Sequence, residues 1–556
     1  MVAVVAAVGL GLALNAPAPR ALPPAARQPV LWRGAYHVHS TQSDGSGTPR
    51  AIAAAAAAAG LDFVILTDHG DGTRPGAPPR LIDGVLLIDA VEISTDDGHY
   101  VALGMPRAPY PLAGEGRAVV DDVRRLGGIG ILAHPDSPHT DLAWHDRSVD
   151  ADGFEWINAD TSWRTASAVQ VLVRLLAYPF NPSGTLAALA TYPAALLVDR
   201  DDPARRPQLA LAAVDAHARI GWRRGADPID GGRTLAAFPS YRASFGTFGV
   251  VVPWLDGAPS GDAGRDATAV LHAIANRVAW SAVFSMASPV WLSLEAHEPP
   301  ASALPGPDAQ GPTTLSIRSN APGGATMRLL RNGVPLREWA EADVSLALAA
   351  EEVAAVYRAE VWLPARRGWP ALPLAVSAAR GHNRPVVPPP RDEAHVPGTA
   401  GDRDIDVGSW HVEHDRASSA AIDATPPGAQ AAATLRLGSG DRVSQFAALV
   451  ADVGGVPPDA TGVTLVLSAS APMRISVQWR EPQPGEGLRW RHSVYVDATP
   501  RTVSLPAAAF RPIRPATGIV TLDRVHALLL VMDTVNARPG DARTLTVHGV
   551  RWTAGR

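Results

Sequence analysis

Short apolar runs recur through the first half of the chain, and polar side chains close most of them. The runs cover residues 32–39, 63–69, 85–92, 99–105, 129–134, 153–158 and 209–217. Continuous apolar runs of this length are typical of strands that are buried on both faces, as in a parallel sheet. Because functional groups of such sheets gather at the C-terminal ends of the strands, the pattern predicts a site at those ends.

Helix signals fall between the strand runs. Thr48 provides an N-cap, Pro49 suits the first helical position, and Gly60 ends the alanine-rich segment that follows them. A second helix is predicted over residues 117–126, where Gly127 stops it. Strands and helices that alternate in this way predict an α/β fold with a closed or distorted barrel.

The composition along the chain predicts a barrel followed by two β-rich regions. The barrel is expected over residues 30–280, with a helical insertion near 160–207. Short alternating segments between Gly/Pro turns predict a small β-sandwich over residues 281–380. Residues 381–403 are rich in Pro, Arg and Asp without apolar periodicity, which indicates a linker. A second β-sandwich is expected over residues 404–556.

Tryptophans distinguish the last β-rich region. They are Trp410, Trp479, Trp490 and Trp552. The region resembles a galactose-binding-like sandwich, which implies glycan contact through indole rings stacked on sugars. Tryptophans on alternating strands more often belong to a hydrophobic core, so both roles stay open here.

The first 29 residues form a separate segment. Residues 2–14 are apolar without interruption, and a Pro/Ala-rich stretch follows them to residue 29. That length suits the core of a signal peptide and is short for a membrane span, although no Lys or Arg precedes it. We expect an exported protein, periplasmic or associated with a membrane through this segment. The alternative is a terminal helix on a cytoplasmic protein.

Two absences in the composition exclude whole classes of chemistry. The chain has no cysteine, and all of its 49 basic residues are arginine. It therefore lacks thiol nucleophiles, thiolate metal sites, Schiff-base lysines and phosphate-loop lysines. A net charge of −5 gives no general attraction for nucleic acid, which we do not expect as a partner.

Imidazoles and carboxylates cluster at the ends of the apolar runs and on adjoining loops. The candidate metal ligands are His37, His39, Asp44, Asp68, His69, Glu92, His99, His134, Asp215 and His217. Residues i and i+2 of a strand point to the same face, so His37 and His39 can reach one cation. Imidazoles and carboxylates without sulfur suit Zn, Mn or Fe. Burial of so many such groups without a metal would leave charges unpaired.

The ligand motifs follow one another in a definite order. They are His37-x-His39, Ser43-Asp44-Gly45, Thr67-Asp68-His69, Glu92, Ala133-His134-Pro135 and Asp215-x-His217. This order resembles the PHP (polymerase and histidinol phosphatase) superfamily over about residues 32–280. The resemblance implies a distorted (β/α)7 barrel that holds two or three divalent metal ions. Residues 98–104 and 153–158 look like its CehA/McbA-type branch, which is named for carbaryl hydrolase.

The resemblance also implies roles for individual residues. All ten candidates named above except Asp68 and His99 would be metal ligands, with Glu92 as the bridge between ions. Glu92 and Asp215 are the residues expected nearest the catalytic chemistry. Asp68 and His99 are further candidate ligands, and Asp68 can equally orient His69. The candidates for substrate binding are Arg147, Arg233, Glu155 and Asn158.

The expected function is metal-dependent hydrolysis of a small-molecule phosphate ester or related ester, by metal-activated water. A first alternative keeps this site and hydrolyses a carboxylic ester, carbamate or amide. A second alternative is an exported glycan-binding protein with a non-catalytic barrel. Because the candidate ligands all precede residue 218, the sequence also predicts that the chemistry does not need the β-rich regions.

Overall fold

The structure is a computed structural model. It describes residues 19–25, 28–222, 233–254, 257–297, 313–349, 352–381, 403–405, 407–440, 444–483 and 487–554. The apolar run of residues 2–14 and nearly all of the predicted linker lie outside these residues. Within them, no helix is long and apolar enough to cross a membrane.

The first half of the described chain contains all of its α-helices. From the N-terminus the elements are β1 (Arg20–Ala21), β2 (Val30–Val38), α1 (Pro49–Ala58), β3 (Phe63–Leu66), β4 (Arg80–Ile82), β5 (Val85–Asp89), β6 (Val91–Thr95), β7 (Gly98–Leu103), α2 (Gly116–Arg125) and β8 (Ile129–Leu132). They continue with β9 (Gly153–Asn158), α3 (Ala159–Thr165), α4 (Ala168–Leu175), α5 (Pro182–Ala187), α6 (Ala194–Arg200), β10 (Leu209–Ala213), β11 (Ile220–Trp222), β12 (Arg233–Ala236), α7 (Tyr241–Phe245), β13 (Gly249–Trp254) and α8 (Ala263–Ala275).

The second half of the described chain consists mainly of strands and includes two short 3₁₀ turns, Ala507–Ala509 and Leu522–Arg524. The strands up to the predicted linker are β14 (Trp280–Ala282), β15 (Ala287–Ser288), β16 (Leu292–His297), β17 (Thr314–Ser319), β18 (Thr326–Arg331), β19 (Val334–Trp339), β20 (Asp343–Ala347), β21 (Val356–Trp362), β22 (Ala375–Ser377) and β23 (Arg380–Gly381). Those beyond it are β24 (Arg403–Asp404), β25 (Val407–His414), β26 (Ser419–Ile422), β27 (Ala431–Arg436), β28 (Phe446–Val453), β29 (Ala460–Ala469), β30 (Met473–Glu481), β31 (Leu488–Val496), β32 (Arg501–Pro506), β33 (Arg511–Ile513), β34 (Ala527–Asp533) and β35 (Ala542–Ala554).

The helices that the sequence signals predict are confirmed. The Thr48 hydroxyl accepts a hydrogen bond from the Ala51 N–H at the start of α1, and Gly60 follows the helix with φ +71°. Gly127, with φ +76°, follows α2. Helices α3 to α6 fall within the residues of the predicted insertion. α4 leaves apolar side chains in solvent, among them Val169, which is 71% exposed.

The chain folds into two compact units, each of which is discontinuous in sequence. The first contains the described residues up to Gly70, Pro75–Met105, and those from Gly127 to Gly381. The second contains Asp71–Arg74, Pro106–Leu126 and the described residues from Arg403 onward. Helix α2 therefore belongs to the second unit, together with the C-terminal strands.

Parallel and antiparallel pairs are mixed in the first unit. β2, β3 and β5 pair in parallel, as do β8, β9 and β10. β7 runs antiparallel to β6 and β8, because β6 and β7 form a hairpin that turns at Asp96 and Asp97. The first unit is therefore a mixed α/β fold dominated by strands, and the predicted (β/α)7 barrel is not confirmed.

Two sheets of the first unit come together at the strand ends. One has the order β10-β9-β8-β7-β6, and the other runs from β4 through β5, β3, β2, β13, β14, β22, β21 and β18 to β19. Ala216 N donates to His37 O at 3.2 Å, and His39 N donates to Ala216 O at 3.1 Å. Gly70 N donates to Glu92 O at 3.0 Å. These bonds connect the ends of β2 and β10, and the end of β3 with β6.

The C-terminal strands form two six-stranded sheets around one apolar core. One sheet has the order β26-β27-β35-β29-β32 with β24 on β35, and the other the order β25-β28-β34-β30-β31-β33. Trp479 and Trp552 stack at 5.3 Å inside this core, and Trp490 is buried there too. Trp410 packs against the core and is half-buried. Three of the four tryptophans considered for sugar stacking are therefore core residues.

Candidate metal centre

The candidate ligands converge where the two sheets of the first unit are connected. In the described part of the chain, their nitrogen and oxygen atoms form overlapping groups within 4.8 Å. The groups are His39, Asp44, His69 and His217; His37, His134 and Asp215; His37, His39 and Glu92; and His69, Glu92 and His99. These groups share His37, His39, His69 and Glu92, so they form one cluster. The sequence spreads its members over more than 180 positions, and only the fold brings them together.

Glu92 on β6 is the central carboxylate of the cluster. Its two oxygens lie 2.8–3.3 Å from imidazole nitrogens of His37, His39, His69, His99 and His134. The residue is 1% exposed. A buried carboxylate with imidazoles on both of its oxygens has the geometry of a bridge between two cations.

Asp44 and Asp215 add carboxylate oxygens on either side of His39. Asp44 Oδ1 lies 3.2 Å from His217 Nε2 and 3.6 Å from His39 Nδ1. Asp215 Oδ1 lies 3.5 Å from the Nε2 atoms of both His37 and His39. Ligand atoms bound at about 2.1 Å to one ion would lie about 3.0 Å apart in octahedral and about 3.4 Å apart in tetrahedral geometry. The donor spacing therefore fits divalent cations.

His69 gives a further sign that the cluster is built for cations. Its Nδ1 atom is buried and makes no hydrogen bond, although it lies 3.3 Å from Glu92 Oε2. Buried polar atoms in proteins are nearly always hydrogen-bonded or bound to an ion. A donor set of imidazoles and carboxylates with such an orphan nitrogen suits Zn, Mn or Fe.

Glu155 and Asn158 on β9 hold the imidazoles and Asp215 in place. Glu155 Oε1 lies 2.5 Å from His37 Nδ1, and Glu155 Oε2 accepts a hydrogen bond from His134 N at 2.7 Å. The Asn158 amide donates to Glu155 at 2.8 Å and to Asp215 at 3.1 Å. Partners of this kind fix ring orientation and tautomer in metal sites. The substrate-binding role that the sequence suggests for both residues stays a prediction, and both also line the cleft beside the cluster.

Asp68 lies outside the ligand groups. Its carboxylate accepts hydrogen bonds from Ser40 N at 2.7 Å, Ser40 Oγ at 2.7 Å and Ser43 Oγ at 2.6 Å. These bonds fix the loop that leads from His39 to Asp44. Asp68 therefore contributes to the site by holding this loop.

Sequence reasoning missed Ser40, Ser43 and Tyr241 as parts of the site. The Tyr241 hydroxyl donates to His39 O at 2.7 Å and lies 3.1 Å from His217 O, so it connects the ends of β2 and β10. Ser43 adjoins Asp44 in its motif, which is a usable signal. Tyr241 stands more than twenty residues beyond the last ligand motif, and nothing in the sequence around it points to the site.

Three members of the cluster have unusual backbone conformations. His37 has φ +65°, His134 φ +29° and Asp215 φ +41°. Positive φ is uncommon outside glycine, and it persists where the surrounding structure imposes it. Such strain concentrates at functional sites.

Opposing charges set the protonation of the cluster. Burial works to lower the pKa of His39, but hydrogen bonds to Asp215 and Glu92 outweigh it and raise the pKa to about 10. Burial lowers the pKa of His69 to about 3, so this ring is neutral at pH 7. Although burial opposes it, the hydrogen bond from His217 holds the pKa of Asp44 well below its usual range.

A cleft of about 540 Å³ adjoins the cluster, and His134, Glu155 and Asn158 form part of its wall. Arg147, a candidate for substrate binding, also lines it, and its side chain is 68% exposed. A volume of this size suits a small-molecule ligand. Arg233 is on β12, but its side chain lies outside the described residues.

Comparison with known proteins gives matches among solved structures alone. No protein-family model and no curated protein matches the chain. A two-domain protein from Bacteroides vulgatus, named as containing a predicted PHP-like metal-dependent phosphoesterase, aligns with 66% of this chain and 100% of its own. Its identity is 13% and its TM-score 0.28. A family 11 carbohydrate-binding module from Clostridium thermocellum, in complex with a β-1,3-1,4-mixed-linked tetrasaccharide, aligns with 28% of this chain and 98% of its own, at 14% identity and TM-score 0.23.

A further solved structure, from Bifidobacterium adolescentis, is of a protein named by inference as a metal-dependent phosphoesterase. It aligns with 38% of this chain and 94% of its own, at 13% identity and TM-score 0.21. The structure neighbours thus include PHP-like metal-dependent phosphoesterases at low identity, and the CehA/McbA-type branch is not shown. At these values, the function of the chain has to be inferred from its own site.

Proposed function

We propose that this protein is a metal-dependent hydrolase of phosphate or related esters, with two or three Mn, Zn or Fe ions in the cluster around Glu92. The observation that carries the proposal is this buried carboxylate, which has imidazole nitrogens on both of its oxygens. Closely spaced divalent cations in such a site activate water and neutralise charge on the ester oxygens. The adjoining cleft gives a small substrate access to the cluster.

The surroundings of the cleft favour an anionic substrate. The Asp199 carboxylate forms ion pairs with Arg200 at 3.1 Å and with Arg147 and Arg205 at 3.7 Å each. Asp136, which also lines the cleft, is a second carboxylate near Arg147 and Arg200, so three guanidinium groups face two carboxylates and positive charge is in excess. Because Arg147 is the exposed member and lines the cleft, it is placed to pair with a phosphate group of the substrate.

The finer assignment rests on the motif order. That order supports membership of the PHP superfamily, a (β/α)7-type barrel and the CehA/McbA-like branch. The same site serves the runner-up activity, hydrolysis of a carboxylic ester, carbamate or amide. The apolar run of residues 2–14 supports export to the periplasm or attachment to the membrane.

The test combines metal analysis with a panel of phosphate mono- and diesters, carboxylic esters and carbamates. We expect bound Mn, Zn or Fe and turnover of phosphate esters that a chelator abolishes. The Glu92→Gln variant should lose at least one ion and nearly all turnover. Glu360→Gln is the matched control, because Glu360 is equally buried but bonds Tyr192 and Trp362 outside the cluster.

Each alternative predicts a different result in the same experiment. Turnover of carboxylic esters or carbamates alone would select the runner-up activity. A folded protein that stays inert and takes up none of the three metals would contradict both hydrolase assignments. Glycan binding by such an inert protein would then favour the binding-module alternative.

A further inference from the structure

We infer that the C-terminal β-sandwich holds the chain segments that connect metal-binding strands, and that Arg474 is the main positioning residue. The segments are Asp71–Arg74 and Pro106–Leu126, which both fold with the sandwich in the second unit. The inference rests on the metal centre of the proposed function. It does not depend on which ester is the substrate.

Arg474 makes a buried two-point ion pair between the sandwich and helix α2. Its Nε and Nη2 atoms bind the two carboxylate oxygens of Asp122 at 2.7 and 2.9 Å, and Nη2 also donates to Ala118 O at 2.9 Å. Both side chains of the ion pair are 1% exposed. Loss of Arg474 would remove two hydrogen bonds from the buried Asp122 carboxylate and leave Arg125 and the Tyr110 hydroxyl as its partners, which makes the contact sensitive to substitution.

Arg474 stands on the sheet face that is turned away from the sandwich core. Its neighbours on β30, Met473 and Ile475, point into that core. The outward face of the adjacent strands carries a second buried apolar cluster, made of Ala448, Val450, Ala527, Leu529 and Val531. Arg474 therefore lies on a sheet face that carries buried apolar residues.

Further contacts hold the rest of the longer segment. The Arg125 guanidinium lies 3.7 Å from the ring centre of Tyr495. The Asn536 amide donates to Pro111 O at 3.0 Å and to Ala113 O at 3.1 Å. The segment is thus fixed through side chains of two separate parts of the sandwich, β31 and the turn after β34.

The fixed segments adjoin three of the candidate ligands along the chain. Gly70 alone separates His69 from the first segment. β7, which carries His99, runs into the second segment, and β8 leads from its end to His134. All three imidazoles contact Glu92. The sandwich can therefore restrict the positions of these rings through the backbone.

The experiment compares two single variants in the full-length protein, Arg474→Met and Arg480→Met. Arg480 is the matched control, because it lies on the same strand and pairs with Glu413 at 2.9 Å, a residue of the sandwich itself. Titration of the metal-free proteins with Mn²⁺ or Zn²⁺ gives stoichiometry and affinity without any substrate. Hydrogen exchange over residues 106–126 gives the mobility of the segment.

We expect Arg474→Met to weaken metal binding by about tenfold or more and to speed exchange in residues 106–126. Arg480→Met should leave both unchanged. If Arg474→Met does not fold, Asn536→Ala removes two milder contacts of the same segment and should weaken metal binding by a smaller factor. A folded Arg474→Met or Asn536→Ala protein with wild-type metal affinity and exchange would overturn the inference, whether or not the protein hydrolyses esters.

Discussion

At the scale of single residues, Glu155 has the most varied contacts of the groups that support the cluster. It reaches a ring nitrogen of His37, the backbone N–H of His134 and the amide of Asn158. A carboxylate can satisfy all three at once because each of its oxygens has two lone pairs. A neutral amide in its place would turn one acceptor oxygen into a donor, and one of these groups would lose its partner.

We therefore expect Glu155→Gln to weaken metal binding by about 10- to 100-fold while the fold survives. Metal titration of the metal-free protein, followed by thermal unfolding, measures both effects. Glu360→Gln serves again as the control, with lower stability and unchanged metal affinity. Equal metal affinity in Glu155→Gln and the native protein would contradict the orienting role of Glu155.

The pKa of His39 makes metal binding pH-dependent. A pKa of about 10 keeps the ring protonated at pH 7 in the metal-free protein, and a protonated ring cannot be a ligand. Metal must displace this proton, so affinity should rise as the pH rises from 6 towards 10, by about tenfold per pH unit for one displaced proton. His69, with its pKa near 3, is already neutral and adds nothing to this slope.

Calorimetric titration in buffers with different ionisation enthalpies counts the released protons. We expect at least one proton per binding event near pH 7.

The raised pKa of His39 also affects the stability of the metal-free protein. This stability should fall as the pH rises, whereas the metal affinity should increase. Because the folded pKa is above the unfolded value of 6.5, the contribution of His39 to metal-free stability is complete below pH 6.5 and disappears as the pH rises through 10. A flat affinity profile would contradict this account.

At the scale of elements, Tyr241 on α7 connects the two strand ends that carry His39 and His217. We expect Tyr241→Phe to cost about 1–2 kcal/mol of stability through the lost hydrogen bonds and to reduce the stabilisation that metal adds. Tyr357→Phe is the control, since that hydroxyl bonds Glu352 O in the β-rich region. Thermal unfolding with and without metal separates the variants: only Tyr241→Phe should change the metal-dependent increment.

Much of the first unit could be predicted from apolar runs and capping residues. Thr48, Pro49 and Gly60 act locally, so a window of a few residues contains the information that places α1. The antiparallel course of β7 could not be predicted in this way. A buried strand has the same apolar composition in either direction, and the turn at Asp96 and Asp97 that reverses it is only two residues long.

The candidate site shows the same division between local and long-range information. The i, i+2 spacing predicts that His37 and His39 lie together, but the positive φ of His37 and the end of β2 at Val38 mean that their geometry departs from that of a regular strand. The hydrogen bonds of Asp68 to Ser40 and Ser43 form only because the fold brings the end of β3 beside the loop that follows β2. The hydrogen bond from Tyr241 to His39 spans 202 positions. Side chains that support a site from a distance leave no periodic pattern, because their partners, whether backbone atoms or side chains, are brought close only by the fold.

At the scale of the whole molecule, no single cut in the chain divides the two units, because each is discontinuous in sequence. A protein truncated after Gly381 would keep Pro106–Leu126 but lose Arg474, so the buried Asp122 carboxylate would lose that guanidinium partner. We expect this truncated protein to bind metal weakly and to unfold without a sharp transition. This expectation replaces the sequence-based one that the chemistry does not need the β-rich regions.

Calorimetric unfolding and metal analysis of the truncated protein test this expectation. A truncated protein with native metal content and turnover would restore the sequence-based view of the β-rich regions as dispensable.

The discontinuous second unit also constrains the order in which the protein can be assembled during synthesis. Residues 106–126 leave the ribosome long before the strands on which they pack, the last of which ends roughly 430 residues later. At a synthesis rate of about 5–20 residues per second, about 20 to 90 s pass between the synthesis of helix α2 and that of Arg474 and the rest of its binding surface. During that interval the connection between the strands of His99 and His134 has no fixed course. The metal centre should therefore mature only after the sandwich strands have been synthesised, and early addition of metal to shorter nascent chains should not trap a folded N-terminal fragment.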